Sequence, residues 1–281
     1  MVSGIKLCTR SPVSIAGSAQ ALNEGRVSAH TLLSECAKRM ELLRPLNAFI
    51  TETIDQARCD AAASDARRSK GQALSPLDGI PIAIKDNFCT KSVLTTAGSA
   101  TLSNFISPYD ATVVARLKSA GAVLVGKTNM DEFGMGSYNL FSHYGPCINT
   151  WRSQPHHEHS IASNPDTTRS VLHEGVLGAR VPGGSSGGSA VAVSGGAAFA
   201  ALGSDTGGSV RTPAAYCGLA GLKPSYGRLS RWGLIAFTSS LDTPGIIANS
   251  VADLSLVFRA LDGADSLDSS CVVSPSSPVR T

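Results

Sequence analysis

Charge is scarce in this chain. Only 16% of its 281 residues are Asp, Glu, Lys or Arg, against roughly 25% in an average soluble domain. Disordered chains and long coiled coils need far more, so the composition argues for a well-buried α/β core. A basic stripe is missing too: the net charge is only +3, and the Lys and Arg residues are scattered among acids. Such a surface carries no footprint for nucleic acid or an anionic membrane, and any nucleic acid is expected to be reached through a partner or a local patch. The seven cysteines, Cys8, Cys36, Cys59, Cys89, Cys147, Cys217 and Cys271, include no CxxC pair. They are odd in number and widely spaced, which argues against a disulfide framework and fits a reducing compartment. The longest uncharged run, residues 181–204, is built from Gly, Ser and Ala instead of Leu, Ile and Phe, so it does not read as a membrane span. Acidic residues are absent before Glu24, while Lys6, Arg10 and several serines precede it. That start resembles an organelle transit peptide, which points to a mitochondrial location with a cytosolic one as the alternative. Residues 14–23 read equally well as an ordinary first helix.

What is present is hydrophobic residues at 42% and 28 glycines, arranged in alternating periodicities. Residues 1–70 read as an N-terminal helical region. Within it Ser28 can cap a helix that places Leu32, Leu33, Cys36, Met40 and Leu43 on one face; residues 48–52 read as a strand and 54–67 as a second helix. Residues 71–263 read as the core. Residues 80–84 form a short apolar strand that ends at Lys85-Asp86-Asn87, delivering polar groups where open α/β sheets place their sites. Asp110 is expected to cap a helix to about Ala120, followed by a strand at 122–125. Residues 146–180, with His156, His157, Glu158 and His159, read as an inserted polar loop. A small-residue helix around 189–193, a strand near 198–202, a turn at 205–209 and a helix at 251–261 follow. Residues 264–281 are expected to be a disordered tail.

Three features converge on chemistry: Lys85 after its strand, the run Pro182-Gly183-Gly184-Ser185-Ser186-Gly187-Gly188-Ser189, and the run Gly203-Ser204-Asp205-Thr206-Gly207-Gly208-Ser209. A serine flanked by glycines permits close approach of a substrate, and successive turn amides can point at a developing oxyanion. Either run alone would read as a linker or tight turn. Lys85 alone would read as a solvated strand-end lysine. Together these segments resemble the amidase signature family, whose members use a serine nucleophile, a second serine in a cis peptide and a lysine. The resemblance implies Ser209 as nucleophile, Ser185 as bridging serine, Lys85 as base, and the backbone amides of Thr206, Gly207, Gly208 and Ser209 as the oxyanion hole. It implies a mixed β-sheet core covered by helices. Because family members continue well past the signature, that core is expected to be incomplete on its C-terminal side.

Within that family, Gly126-Lys127-Thr128-Asn129-Met130-Asp131-Glu132-Phe133 and Leu222-Lys223-Pro224-Ser225-Tyr226-Gly227-Arg228 resemble the glutamyl-tRNA(Gln) amidotransferase A subunits. That branch implies hydrolysis of glutamine to supply ammonia for converting Glu-tRNA(Gln) to Gln-tRNA(Gln). It implies as partners an amidotransferase B subunit, which contacts the misacylated tRNA, and a small accessory subunit. No cofactor is expected in this chain, with ATP and magnesium expected on the partner, and no membrane contact. A base role for Lys85 requires its pKa to fall from ~10.4 towards 7, which burial can supply.

Other readings compete. Gly121-Ala122-Val123-Leu124-Val125-Gly126-Lys127-Thr128 matches the P-loop expression, but Ala-Val-Leu-Val is itself the buried strand and leaves no phosphate loop. Gly183 to Gly187 fits a G-x-S-x-G elbow, yet no histidine follows His173 to complete that triad. The His156–His159 cluster has no cysteine or scaffold to make it a zinc site. Cys217 is the candidate for a thiol glutaminase, set in an apolar stretch where an inert buried thiol is the default. A general amidase acting on a small amide, and a non-catalytic interaction protein that keeps the fold, are the functional alternatives.

Overall fold

The computed structural model describes residues 14–151 and 179–272. Among them six strands, β1 (Phe49–Glu52), β2 (Pro81–Lys85), β3 (Val123–Thr128), β4 (Ala200–Asp205), β5 (Ala220–Leu222) and β6 (Thr243–Ala248), form one sheet ordered β1-β3-β2-β4-β6-β5. The central β3, β2 and β4 run parallel, β1 and β6 pair antiparallel on either side, and β5 closes one edge. Every residue of β2, β3, β4 and β6 is buried, as strands covered on both faces must be. The register sets the function: Ile84 lies opposite Leu202 in the parallel pair, and Thr243 opposite Asp205 in the antiparallel one. The C-terminal ends of β2 and β4 and the start of β6 therefore meet at one end of the sheet.

Seven α-helices accompany the sheet among the described residues: α1 (Ile15–Asn23), α2 (Ala29–Leu43), α3 (Ile54–Arg68), α4 (Thr112–Ser119), α5 (Gly187–Ser194), α6 (Arg211–Tyr216) and α7 (Val251–Leu261). In α2 the Ser28 hydroxyl accepts the Thr31 N–H at 3.0 Å, and Ala29, Leu33, Cys36, Met40 and Leu43 form the buried face, with Leu32 at its half-buried margin. Asp65 of α3 also accepts the N–H groups of Ala29 and His30, so one helix caps the next. Residues 14–23 are a packed helix: Ser14 caps α1, and the Ile15 N–H reaches Asp253 of α7 at 2.7 Å. Helix α5 is buried through Val193 and lies against β2, β3, β4 and β6. It comes that close because of Gly188, where an added Cβ would stand 2.5 Å from the Ala48 carbonyl oxygen and 2.6 Å from Asn129 main-chain atoms.

Several expectations need correction. Asp110 does not cap α4: Ala111 holds the cap position, and the Asp110 carboxylate instead accepts from the Lys91 N–H and the Lys118 ammonium. The local competition for that carboxylate is won by a charged donor. Residues 264–272 are not a frayed tail, because Asp265 accepts the hydroxyls of Thr112 and Ser230 and Asp268 accepts the Arg231 N–H. Strand β1, from the region expected to be helical overall, belongs to the central sheet. The uncharged run at 181–204 breaks into α5, a turn and part of β4, and no helix among the described residues is long and apolar enough to cross a membrane. Strand β6 was not among the expected elements; it contains Pro244, which is tolerated because β5 pairs only with Ile246, Ile247 and Ala248. The transit-like residues 1–13, most of the 146–180 loop with its histidine cluster, and residues 273–281 lie outside the described residues.

The packing of α5 gives a direct test. Gly188→Ala is expected to cost about 2–3 kcal/mol in urea unfolding with an unchanged m-value. Gly207→Ala, whose added Cβ meets nothing within 4 Å, should change stability by less than about 0.5 kcal/mol.

Candidate active site

Lys85 is the last residue of β2 and is fully buried. Its Nζ stands 2.7 Å from Ser185 Oγ, 2.8 Å from Ser204 Oγ and 3.3 Å from the Ser204 carbonyl oxygen. Asn87 Nδ2 donates to the same Ser204 hydroxyl at 2.9 Å. An ammonium finds three acceptors in this cage. A neutral amine donates its two hydrogens to Ser204 and keeps its lone pair for the Ser185 hydroxyl proton. Both protonation states therefore fit one heavy-atom arrangement. Burial lowers the Lys85 pKa to about 7, against the opposing attraction of Asp131, Asp205 and Asp242.

Ser185 is delivered by the turn before α5, and the Gly184–Ser185 peptide bond is cis. A side chain at position 184 has no room, since a Cβ there would stand 2.2 Å from Asp131 Oδ2. Asp131 is itself buried and accepts the N–H groups of Asn139 and Phe141 at 2.8 and 3.0 Å. Ser209 lies in the turn between β4 and α6, half-buried, and its carbonyl oxygen accepts the Ser186 N–H at 3.1 Å. The Ser209 side chain has no hydrogen-bond partner among the described residues. The structure thus brings Lys85 and Ser185 into direct contact and sets the Ser209 backbone against the residue after Ser185.

Of the expected oxyanion donors, the Gly208 N–H is committed elsewhere: it donates to Asp205 Oδ1 at 2.9 Å. Asp205 also accepts from the N–H groups of Val210 and Arg211 and from the Arg211 guanidinium. Burial works against its charge, but the Arg211 fork and the two amides outweigh it and hold the carboxyl below the usual range. Asp205 is therefore the organiser of the turn. Gly207 and Ser209 keep backbone N–H groups without partners among the described residues. Sequence reasoning missed Ser204, Asp205, Asp131 and Asn87 as site residues. Ser204 and Asp205 stood within the glycine-rich run and Asn87 two residues after Lys85, but nothing local told them from ordinary turn polars.

The competing motifs resolve differently. Lys127 of the P-loop match is buried and pairs with Asp86 at 3.2 Å while donating to the Phe88 carbonyl and the Thr95 hydroxyl. It faces no phosphate loop. The elbow serine, Ser185, meets a lysine instead of a histidine. Cys217 Sγ points at the Pro182 carbonyl, and burial pushes its thiol up to about 12, which leaves it inert near neutrality. No cluster of metal-ligating side chains occurs among the described residues.

A family model described as Amidase matches residues 31–156 and 176–281. The A subunit of glutamyl-tRNA(Gln) amidotransferase from a Synechococcus strain is 48% identical over 264 residues, which cover 94% of this chain and 49% of that protein. Its counterpart in Thioalkalivibrio sulfidiphilus is 48% identical over 93% of this chain and 49% of its own length. Among solved structures, the glutamyl-tRNA(Gln) amidotransferase A subunit of Thermotoga maritima aligns with a TM-score of 0.71 at 36% identity, over 97% of this chain and 51% of that one. The native peptide amidase of Stenotrophomonas maltophilia aligns with a TM-score of 0.80 at 33% identity, over 96% and 52% respectively. The chain spans about half the length of the curated relatives it matches.

Lys85 carries a pH signature. Its folded pKa of about 7 lies below the 10.5 of a free lysine, so between those values the unfolded chain holds a proton that the fold does not. Stability contributed at this site therefore rises with pH across that window. From pH 7 to 9 the parent chain is expected to gain about 2 kcal/mol relative to Lys85→Met, read from urea midpoints. A difference that stays flat with pH would mean that Lys85 is protonated in the fold throughout.

Proposed function

Because this chain belongs to the amidase family, we propose that it hydrolyses an amide through an acyl-enzyme on Ser209, with Lys85 as base and Ser185 as the relay between them. One observation carries the proposal: a fully buried amine whose side-chain hydrogen-bond partners are two hydroxyls, one of them Ser185 Oγ at 2.7 Å. As Ser209 Oγ attacks the amide carbon, its proton passes to Ser185 Oγ while the Ser185 proton passes to Lys85 Nζ. The oxyanion faces the free amides of the turn. When the tetrahedral intermediate collapses, the C–N bond breaks and the nitrogen takes the proton back along the same path, leaving as ammonia. Water then attacks the ester by the reverse proton route, releasing the carboxylic acid and restoring Ser209.

The identity to amidotransferase A subunits favours glutamine as the amide, with ammonia passed on for amidation of glutamate attached to tRNA. On this reading a B subunit holds the tRNA together with ATP and magnesium, and a small accessory subunit completes the assembly. The basic, serine-containing start supports a mitochondrial address for it. The likeness to a peptide amidase supports a second reading, hydrolysis of another small amide by the same residues.

Fluorophosphonate labelling of the purified chain, mapped by peptide mass spectrometry, tests the chemistry. Ser209 should be the labelled residue, its rate should rise through about pH 7 as Lys85 loses its proton, and Lys85→Ala and Ser185→Ala should each slow it roughly 100-fold or more. Labelling at another residue, or undiminished in both variants, would refute the assignment. Ammonia release from glutamine compared with a peptide amide then separates the two substrate readings.

A further inference from the structure

Asp242 is buried, and no basic side chain is among its hydrogen-bond partners. It stands immediately before β6, whose Thr243 pairs with Asp205 at the end of β4, so it lies beside the start of the nucleophile turn. Its Oδ1 accepts the Thr206 hydroxyl. Its Oδ2 accepts the N–H groups of Phe237 and Thr238 at 2.8 and 2.9 Å. Phe237 in turn faces Ser185 across Gly134: a methyl group on Gly134 would lie 3.7 Å from Phe237 Cβ and 3.7 Å from Ser185 Oγ. The two oxygens of one carboxylate thus join the turn that carries Ser209 to the loop whose Phe237 lies, like Ser185, beside Gly134. Strand pairing asks for no acid at this position, and a buried carboxylate without a cation is costly to keep.

We infer that Asp242 is a positioning residue for acylation of Ser209: by holding Thr206 and the Phe237–Thr238 main chain at once, it sets the gap in which the scissile amide lies. This rests on the assignment of Ser209 as nucleophile. Asp242 touches neither Lys85 nor the reacting atoms. It acts through the Thr206–Ser209 turn, which is also held by Asp205 with its partner Arg211 and by the Ser186 N–H donating to the Ser209 carbonyl. Its charge also favours the ammonium form of Lys85, in company with Asp131 and Asp205. Removing that charge moves the midpoint of Lys85 deprotonation to lower pH, whereas removing only the Thr206 bond leaves the midpoint in place.

Thr206→Val, Thr206→Ser and Asp242→Asn separate these contributions, read by the pH dependence of fluorophosphonate labelling and by amide hydrogen exchange of the peptide spanning 206–210. Thr206→Val is expected to slow labelling about 10-fold or more without moving its midpoint, and to speed exchange across the turn. Thr206→Ser, which keeps the hydroxyl, should restore both. Asp242→Asn should slow labelling and also shift the midpoint to lower pH. Parental labelling and parental exchange in folded Thr206→Val would overturn the inference, as would an unmoved midpoint and unchanged rate in Asp242→Asn. A parent chain that is never labelled at Ser209 would remove the nucleophile assignment instead, and exchange alone would then decide whether Thr206 and Asp242 hold the turn.

Discussion

Lys85 Nζ sits at the end of a strand whose every residue is buried, with its hydrogen-bonding capacity taken up by Ser185 and by the hydroxyl and carbonyl of Ser204. Removing an amine from water disfavours its charge, and here no carboxylate lies within hydrogen-bond reach to repay that loss. The rest of the functional end depends on this arrangement. Strand β2 places the lysine, the parallel neighbour β4 brings Ser204 beside it, and the turn into α5 presents Ser185 from above the sheet end.

Lys127 shows what the alternative looks like. It occupies the adjacent strand, with Ile84 beside it and Lys85 beside Thr128, and it is equally buried, yet it meets the Asp86 carboxylate, a carbonyl and a hydroxyl. A buried pair of opposite charges serves to fix the chain between Asp86 and Thr96, whose N–H and hydroxyl also bind Asp86. One buried lysine has a carboxylate partner and supports the loop, and the other meets only hydroxyls and a carbonyl. Direct pairing, more than burial, distinguishes their roles.

Three buried carboxylates finish the site without touching Lys85. Asp131 fills the space under Gly184, Asp205 gathers the Thr206–Ser209 turn with Arg211, and Asp242 links that turn to the Phe237 loop. Each is satisfied in part by backbone N–H groups, which are rigid donors. An arrangement held by main-chain contacts loses little geometry to side-chain motion.

The local order of the chain was legible from the residues. The periodic face of α2, the start and end of α7, the all-apolar strand before Lys85, and the glycine-serine runs each follow from short-range rules of spacing, capping and backbone freedom. Lys85, Ser185 and Ser209 were grouped by the resemblance that their three separate motifs carry together, since each motif alone reads as an ordinary turn or strand-end lysine. What only the tertiary structure decided is which polar side chains face the site. Ser204, Asp131 and Asp242 look like turn or surface polars in sequence, β6 was not among the elements expected, and the Gly208 amide was expected in the oxyanion hole. Their roles depend on strand register and on partners up to 119 residues away along the chain, as in the Lys85–Ser204 contact. Hydrogen bonds between distant segments leave no periodicity in the sequence, so the fold alone assigns them.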